Sequence, residues 1–163
     1  MIPKEIIIHH TASSRDRTTL EDVDVWHKAR WFDFKSSLGF WVGYHFLITA
    51  DGVVNQTRKI NEMGAHCIPN EGKVGICLTG NFDLEYPSPK QLVSLEITLN
   101  KIKKDYLLND TNIFGHQEKS NTACPGKNLM SWIKAYRQIS FLQKQIEAIK
   151  KLIESLIKGR SGG

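Results

Sequence analysis

Residues 4–10 read Lys-Glu-Ile-Ile-Ile-His-His, and they predict the strand around which the rest of the chain is arranged. Isoleucine is β-branched and apolar, so three in a row favour a short strand buried on both faces. The strand ends on two imidazoles, at a place where a sheet holds side chains firmly. Successive side chains point to opposite faces, so only one of His9 and His10 can enter a common site. The residues alone do not choose between them.

Outward from this strand, Thr18 with Glu21 reads as a capping box, and Leu20, Val23 and His27 recur at helical spacing, which predicts a helix over residues 19–30. Residues 44–49 alternate, Asp51-Gly52 is a hairpin turn, and residues 53–57 return as the paired strand. Residues 74–79 form another buried strand candidate. Ser88-Pro89 with Gln91 opens a second helix, whose apolar stripe is Leu92, Leu95, Leu99, Ile102 and Tyr106. A short strand over residues 112–114 leads into Gly115-His116 and a polar loop to Cys124-Pro125-Gly126. Residues 128–158 contain no Pro or Gly and predict one long helix that Gly159 stops, followed by a frayed tail over residues 160–163. The expected fold is α/β, with a single mixed central β-sheet flanked by helices and a long C-terminal amphipathic helix.

The 163 residues, 40% hydrophobic and 24% charged, suit one soluble domain. The net charge of +5 (22 minus 17) is spread without Lys/Arg blocks, so a nucleic-acid partner is not expected. No apolar stretch resembles a secretory signal or approaches a membrane span, so the chain is expected in the cytoplasm as synthesised. Three cysteines, Cys67, Cys77 and Cys124, are too few for a disulfide framework, and at least one must be a free thiol or a ligand.

Two imidazoles and a thiolate make a three-ligand zinc site with a fourth position open, and His9 or His10, His116 and Cys124 are the candidates. Cys and His suit zinc over magnesium or calcium, which want oxygen ligands. Each residue also has a plain structural reading: a strand-end histidine is commonly core or surface, and a lone buried cysteine a small hydrophobe. Cys77 fits the core, and Cys67 is a loop thiol without an obvious partner. His27 reads as an ordinary helix residue and His45 as a structural one. Glu118, near His116, is a candidate base, with a solvated loop carboxylate as the plainer reading. Trp31, Phe40 and Trp41 are candidates to stack on sugar rings or to pack in the core.

Taken together, Ile6-Ile7-Ile8-His9-His10-Thr11-Ala12, Trp26-His27-Lys28, Gly43-Tyr44-His45-Phe46, Gly64-Ala65-His66, Val74-Gly75-Ile76, and Gly115-His116 with Cys124-Pro125-Gly126 resemble the type 2 zinc-dependent N-acetylmuramoyl-L-alanine amidases. That group includes phage lysozyme-type amidases and the animal peptidoglycan recognition proteins. The resemblance runs in order over residues 4–136. It implies His9, His116 and Cys124 as zinc ligands, the last two at the family's eight-residue spacing. It also implies Tyr44 as a catalytic residue beside the metal, and His66 in the substrate pocket. Thr122 stands where the family has Lys or Thr to assist the substrate carbonyl, and a threonine donates a hydrogen bond without supplying charge. Residues 67–74 depart from the family's Asn-Ser-Ile-Gly pattern.

The implied function is hydrolysis of the amide between N-acetylmuramic acid and L-alanine of the stem peptide of peptidoglycan. A phage or prophage endolysin, acting on the cell wall after release, is the preferred setting. A cytoplasmic wall-fragment recycling amidase is the alternative. Non-catalytic binders of the same fold typically lack the Cys ligand, and Cys124 is present.

Beyond residue 137 the resemblance ends and residues 138–163 form a helical extension and tail. Trp132, Ile139, Ile146 and Ile153 fall seven apart, as do Ala135, Leu142, Ile149 and Leu156, which is an a/d heptad seam widened by Leu152 and Ile157. Five cations against Glu147 and Glu154 give this segment a net +3. The expectation is a homo-oligomer through residues 138–158; contact with an anionic envelope surface and packing on the domain are the alternatives.

Overall fold

The isoleucine run becomes β1, Glu5–His10, and pairs in parallel with a strand on either side. The structure is a computed structural model that describes the backbone of residues 1–160 and the side chains of residues 1–154. Residues 161–163 of the predicted tail, and the side chains of Leu156 and Ile157, lie outside the described residues. In chain order the remaining elements are α1 (Leu20–Arg30), β2 (Phe46–Ile48), β3 (Val54–Gln56), β4 (Lys73–Leu78), α2 (Pro89–Tyr106), β5 (Ile113–Gly115) and α3 (Lys127–Arg160). The sheet order is β3-β2-β4-β1-β5, with only the β2–β3 hairpin antiparallel, so the sheet is mixed as expected.

Register sorts the side chains. His9 pairs with Cys77 and Ile7 with Gly75. These residues and Leu47, opposite Cys77, lie on one face, and Ile6, Ile8, Val74, Ile76 and Leu78 on the other. The second face is the main core: Leu95, Leu99 and Ile102 of α2 and Leu129, Met130 and Ile133 of α3 close over it, all essentially buried. Each such side chain contributes about 1.5–3 kcal/mol by leaving water. The first face is only partly covered, by a smaller cluster of Val23, Val42, Leu47 and Cys77 beneath α1. It opens into a crevice at the carboxyl end of β1, the usual place for a site in such sheets.

Three sequence expectations shift. The α1 capping box is Thr19 with Asp22, one residue later than Thr18 with Glu21, because the Thr18 hydroxyl is already spent on the Ser14 carbonyl at 2.6 Å. Tyr44 and His45 precede the β2 ladder, and the helix runs through Gly159 to Arg160. The α2 cap of Ser88 with Gln91 is as read.

The α3 helix is fixed to the domain well past residue 137. Arg137 pairs with Glu118 at 3.0 Å, and Asp110 accepts hydrogen bonds from Ser140 and Lys144, each 2.6 Å, as well as from Lys103. From residue 145 onward every described side chain is exposed. Among the described residues, the extension is tied to the domain as far as Lys144 and exposed over residues 145–154.

Candidate active site and metal centre

His9 reaches the open face from the last turn of pleat in β1, where it is almost wholly buried. His116 follows β5 directly, in a short helical turn, and its ring centroid lies 4.5 Å from that of His9. The loop that returns to Cys124 is pinned by the Gln117 N–H donating to the Cys124 carbonyl at 2.7 Å. Cys124 then sits with Sγ 3.6 Å from His9 Nδ1. One ligand atom from each of His9, His116 and Cys124 lies within 4.8 Å of the others. With Zn–S about 2.3 Å and Zn–N about 2.0–2.1 Å, a tetrahedral ion needs its S and N ligands about 3.6 Å apart. The donor set and its spacing therefore fit zinc.

Strand alternation settles the choice within the histidine pair. His10 turns to the opposite side, where its Nδ1 accepts the Phe82 N–H at 3.1 Å. Its backbone still serves the site, since the His10 N–H donates to Cys124 Sγ at 3.4 Å. Burial lowers the pKa of His9 well below the ordinary histidine value and lowers that of His116 as well, which favours the neutral imidazole a metal requires. Burial pushes the Cys124 thiol up to about 12 in the absence of a cation.

These residues line a cavity of about 670 Å³. Tyr44 lies on its wall with its ring 5.1 Å from that of His9, and burial, reinforced by the Cys77 and Cys124 thiols, raises the pKa of its hydroxyl well above the usual tyrosine value. Thr122 is also on the wall, its Oγ1 accepting the Cys124 N–H at 3.2 Å, which leaves the hydroxyl proton free to be donated. His66 lines the cavity too, but its Nδ1 is 3.0 Å from His9 Nε2.

Other residues fall elsewhere. Glu118 is exposed, in keeping with a solvated carboxylate, and it also accepts the Gly115 N–H and pairs with Arg137. Cys67 is buried with Lys73 Nζ 3.5 Å from its sulfur, a partner the sequence did not reveal. Cys77 is core, and His45 is a buried structural residue that accepts the Gly75 N–H. Trp31 is on the cavity wall, whereas Phe40 packs on the small cluster and Trp41 is flanked by Lys28 and Lys35. His27, read as an ordinary helix residue, also faces the cavity and accepts the Gly43 N–H at 2.8 Å. Arg30 and Asp83 bring opposite charges to the wall, and no local sequence signal marks either.

A family model described as N-acetylmuramoyl-L-alanine amidase matches residues 1–127. The chain belongs to that family. It is 33% identical over 140 residues to peptidoglycan-recognition protein SC1a/b of Drosophila simulans, covering 80% of this chain and 71% of that protein. It is 29% identical over 136 residues to an endolysin of Klebsiella phage KP32, covering 78% and 83% of the two chains. Among solved structures, the N-acetylmuramoyl-L-alanine amidase LysC from Clostridium intestinale superposes with a TM-score of 0.69 at 32% identity, covering 82% of this chain and 84% of that one. Family and fold together support an amidase-type peptidoglycan hydrolase.

Proposed function

We propose that this member of the family is a zinc-dependent amidase that hydrolyses the bond between the lactyl group of N-acetylmuramic acid and L-alanine of the stem peptide. The observation that carries the reading is the convergence of His9, His116 and Cys124 donor atoms on the wall of a cavity large enough for a glycopeptide. Zinc held there would supply a Lewis acid and an activated water for amide hydrolysis. The chain's own residues supply the rest. Tyr44, protonated at neutral pH, donates a hydrogen bond toward the oxyanion that develops at the substrate carbonyl. Thr122 donates from the loop side. Neither brings a positive charge, so charge stabilisation falls to the ion. Trp31 and His27 stand on the cavity wall, placed to bound the substrate on the α1 side.

The endolysin setting, with synthesis in the cytoplasm and action on the wall after release, is supported by the likeness to phage endolysins. A non-catalytic peptidoglycan binder is disfavoured by the complete ligand set. The test is metal analysis with a wall-hydrolysis assay. Wild type is expected to bind one zinc and to release new L-alanine amino termini, and Cys124→Ser to lose both. A Cys124→Ser enzyme that cuts at the wild-type rate overturns the reading.

The exposed part of α3 supports self-association with a second copy. Ile139, Ile146 and Ile149 are 53–55% exposed along the heptad stripe. Glu147 precedes Lys151 by four residues, the order that favours pairing along a helix, and both occupy positions away from the a/d seam. Lys144 is engaged by Asp110. Lys144 and Lys151 so placed serve an outer solvated face, while Lys150, at an e position, borders the apolar stripe, where coiled coils also carry charge. Light scattering is expected to give a multiple of 18.6 kDa for the full chain and one chain's mass for Ile146→Glu/Ile149→Glu. A monomeric wild type overturns it, and vesicle binding by that monomer would select the envelope reading.

A further inference from the structure

His66 occupies a nest that the fold goes to some length to build. A Cβ at Gly75 would lie 2.7 Å from His66 Cδ2, and one at Gly64 would lie 2.5 Å from the same atom. Only glycines at both positions leave room for the ring. The ring is anchored at the far end by its Nε2, 3.3 Å from the Lys73 carbonyl, and its own backbone N–H donates to Asn70 Oδ1 at 2.8 Å. Its Nδ1 is committed to His9 Nε2 at 3.0 Å. No atom of the imidazole that can hydrogen-bond is left for substrate.

The direction of this chain follows from the chemistry of its ends. A carbonyl oxygen only accepts, so His66 Nε2 carries the proton toward Lys73. In a neutral ring His66 Nδ1 is then bare and must accept. His9 Nε2 must therefore carry a proton and donate it. That leaves His9 Nδ1 with its lone pair exposed, and this is the atom 3.6 Å from Cys124 Sγ.

We infer that His66 is a positioning residue that fixes the tautomer and orientation of His9, so that Nδ1 is presented to the metal, and that its ring makes no hydrogen bond to substrate. The inference rests on the zinc reading above. Outer hydrogen-bond partners of this kind typically change metal affinity 10–100-fold when removed. Gln can reproduce the arrangement, since its amide oxygen can accept from His9 while its NH₂ donates to Lys73. Leu fills similar space with neither function.

Zinc affinity measured by competition with a chromophoric chelator, on full-length protein with folding checked by circular dichroism, is expected to fall 10–100-fold in His66→Leu and only a few-fold in His66→Gln. Long-range ¹H–¹⁵N spectra of metal-free wild type are expected to show His9 protonated at Nε2. That second measurement needs neither metal nor a variant. A folded His66→Leu that binds zinc as tightly as wild type, or a wild-type His9 protonated at Nδ1, overturns the inference. Failure of wild type to bind zinc, with His9 still protonated at Nε2, would instead sink the zinc reading and leave the His66–His9 geometry standing.

Discussion

The backbone N–H of His10 points at Cys124 Sγ, 3.4 Å away, so the strand that supplies one proposed ligand through a side chain steadies another through its main chain. Yet burial dominates and holds the metal-free thiol up to about 12. At neutral pH the thiol keeps its proton, while His9 and His116, their pKa values lowered, have already lost theirs. Zinc uptake must then expel about one proton. Calorimetry in buffers of different ionisation enthalpy is expected to show that release, and apparent affinity is expected to rise roughly tenfold per pH unit between about pH 6.5 and 8. A buffer-independent enthalpy would contradict this.

Gly75→Ala tests the His66 nest without touching any ligand. The added methyl meets the His66 ring at 2.7 Å. Either the ring or β4 has to move. The expected result is a stability loss of about 1–3 kcal/mol in denaturant unfolding, together with weaker zinc binding. Unchanged affinity in a folded variant would mean that the ring's position is immaterial.

Tyr44→Phe deletes one hydroxyl beside the ligands, and with it a hydrogen bond to the buried Cys77 thiol. If that hydroxyl donates chiefly in the transition state, kcat is expected to fall about 10²–10³-fold with KM nearly constant. Thr122→Ala should do less to kcat, and it removes a hydrogen bond from the loop holding Cys124. A Tyr44→Phe enzyme with normal kcat and raised KM would reassign Tyr44 to substrate binding.

Asp110 gives the fold an acid-sensitive fastening. Burial by itself would raise its carboxyl, but hydrogen bonds from Lys103, Lys144 and Ser140 outweigh it and hold the pKa well below the usual range. A depressed folded pKa stabilises above the unfolded value of about 3.9 and is lost as pH falls through the folded one. Denaturant midpoints are expected to drop below about pH 4 in wild type and to depend less on pH in Asp110→Asn. At pH 7 that variant should be less stable by on the order of 2 kcal/mol, between exposed and fully buried pairs.

Much of this was legible because it is periodic or local. The isoleucine run of β1, the Ser88 cap of α2 and the loop from His116 to Cys124 each state their structure within a few residues. The His9–His66 bond joins residues 57 apart, and its meaning depends on a carbonyl in β4 and on two glycines whose role is to leave space. Nothing in the sequence around His66 displays that. Arg30 and His27 reach the cavity because of how α1 lies on the sheet, which a helix read in isolation does not encode. Thr18 lost the cap to Thr19 through a hydroxyl contact four residues back, a competition that propensity does not rank.

Because Asp110 grips α3 at Ser140 and Lys144, the exposed stretch from residue 145 leaves the domain as the continuation of one uninterrupted helix. The ten residues to position 154 amount to a strut of about 15 Å. Whatever docks on that strut inherits a fixed bearing toward the cavity. A joined pair of chains would then meet a repeating polymer with two clefts at set spacing, and would gain residence on it by avidity without altering either cleft.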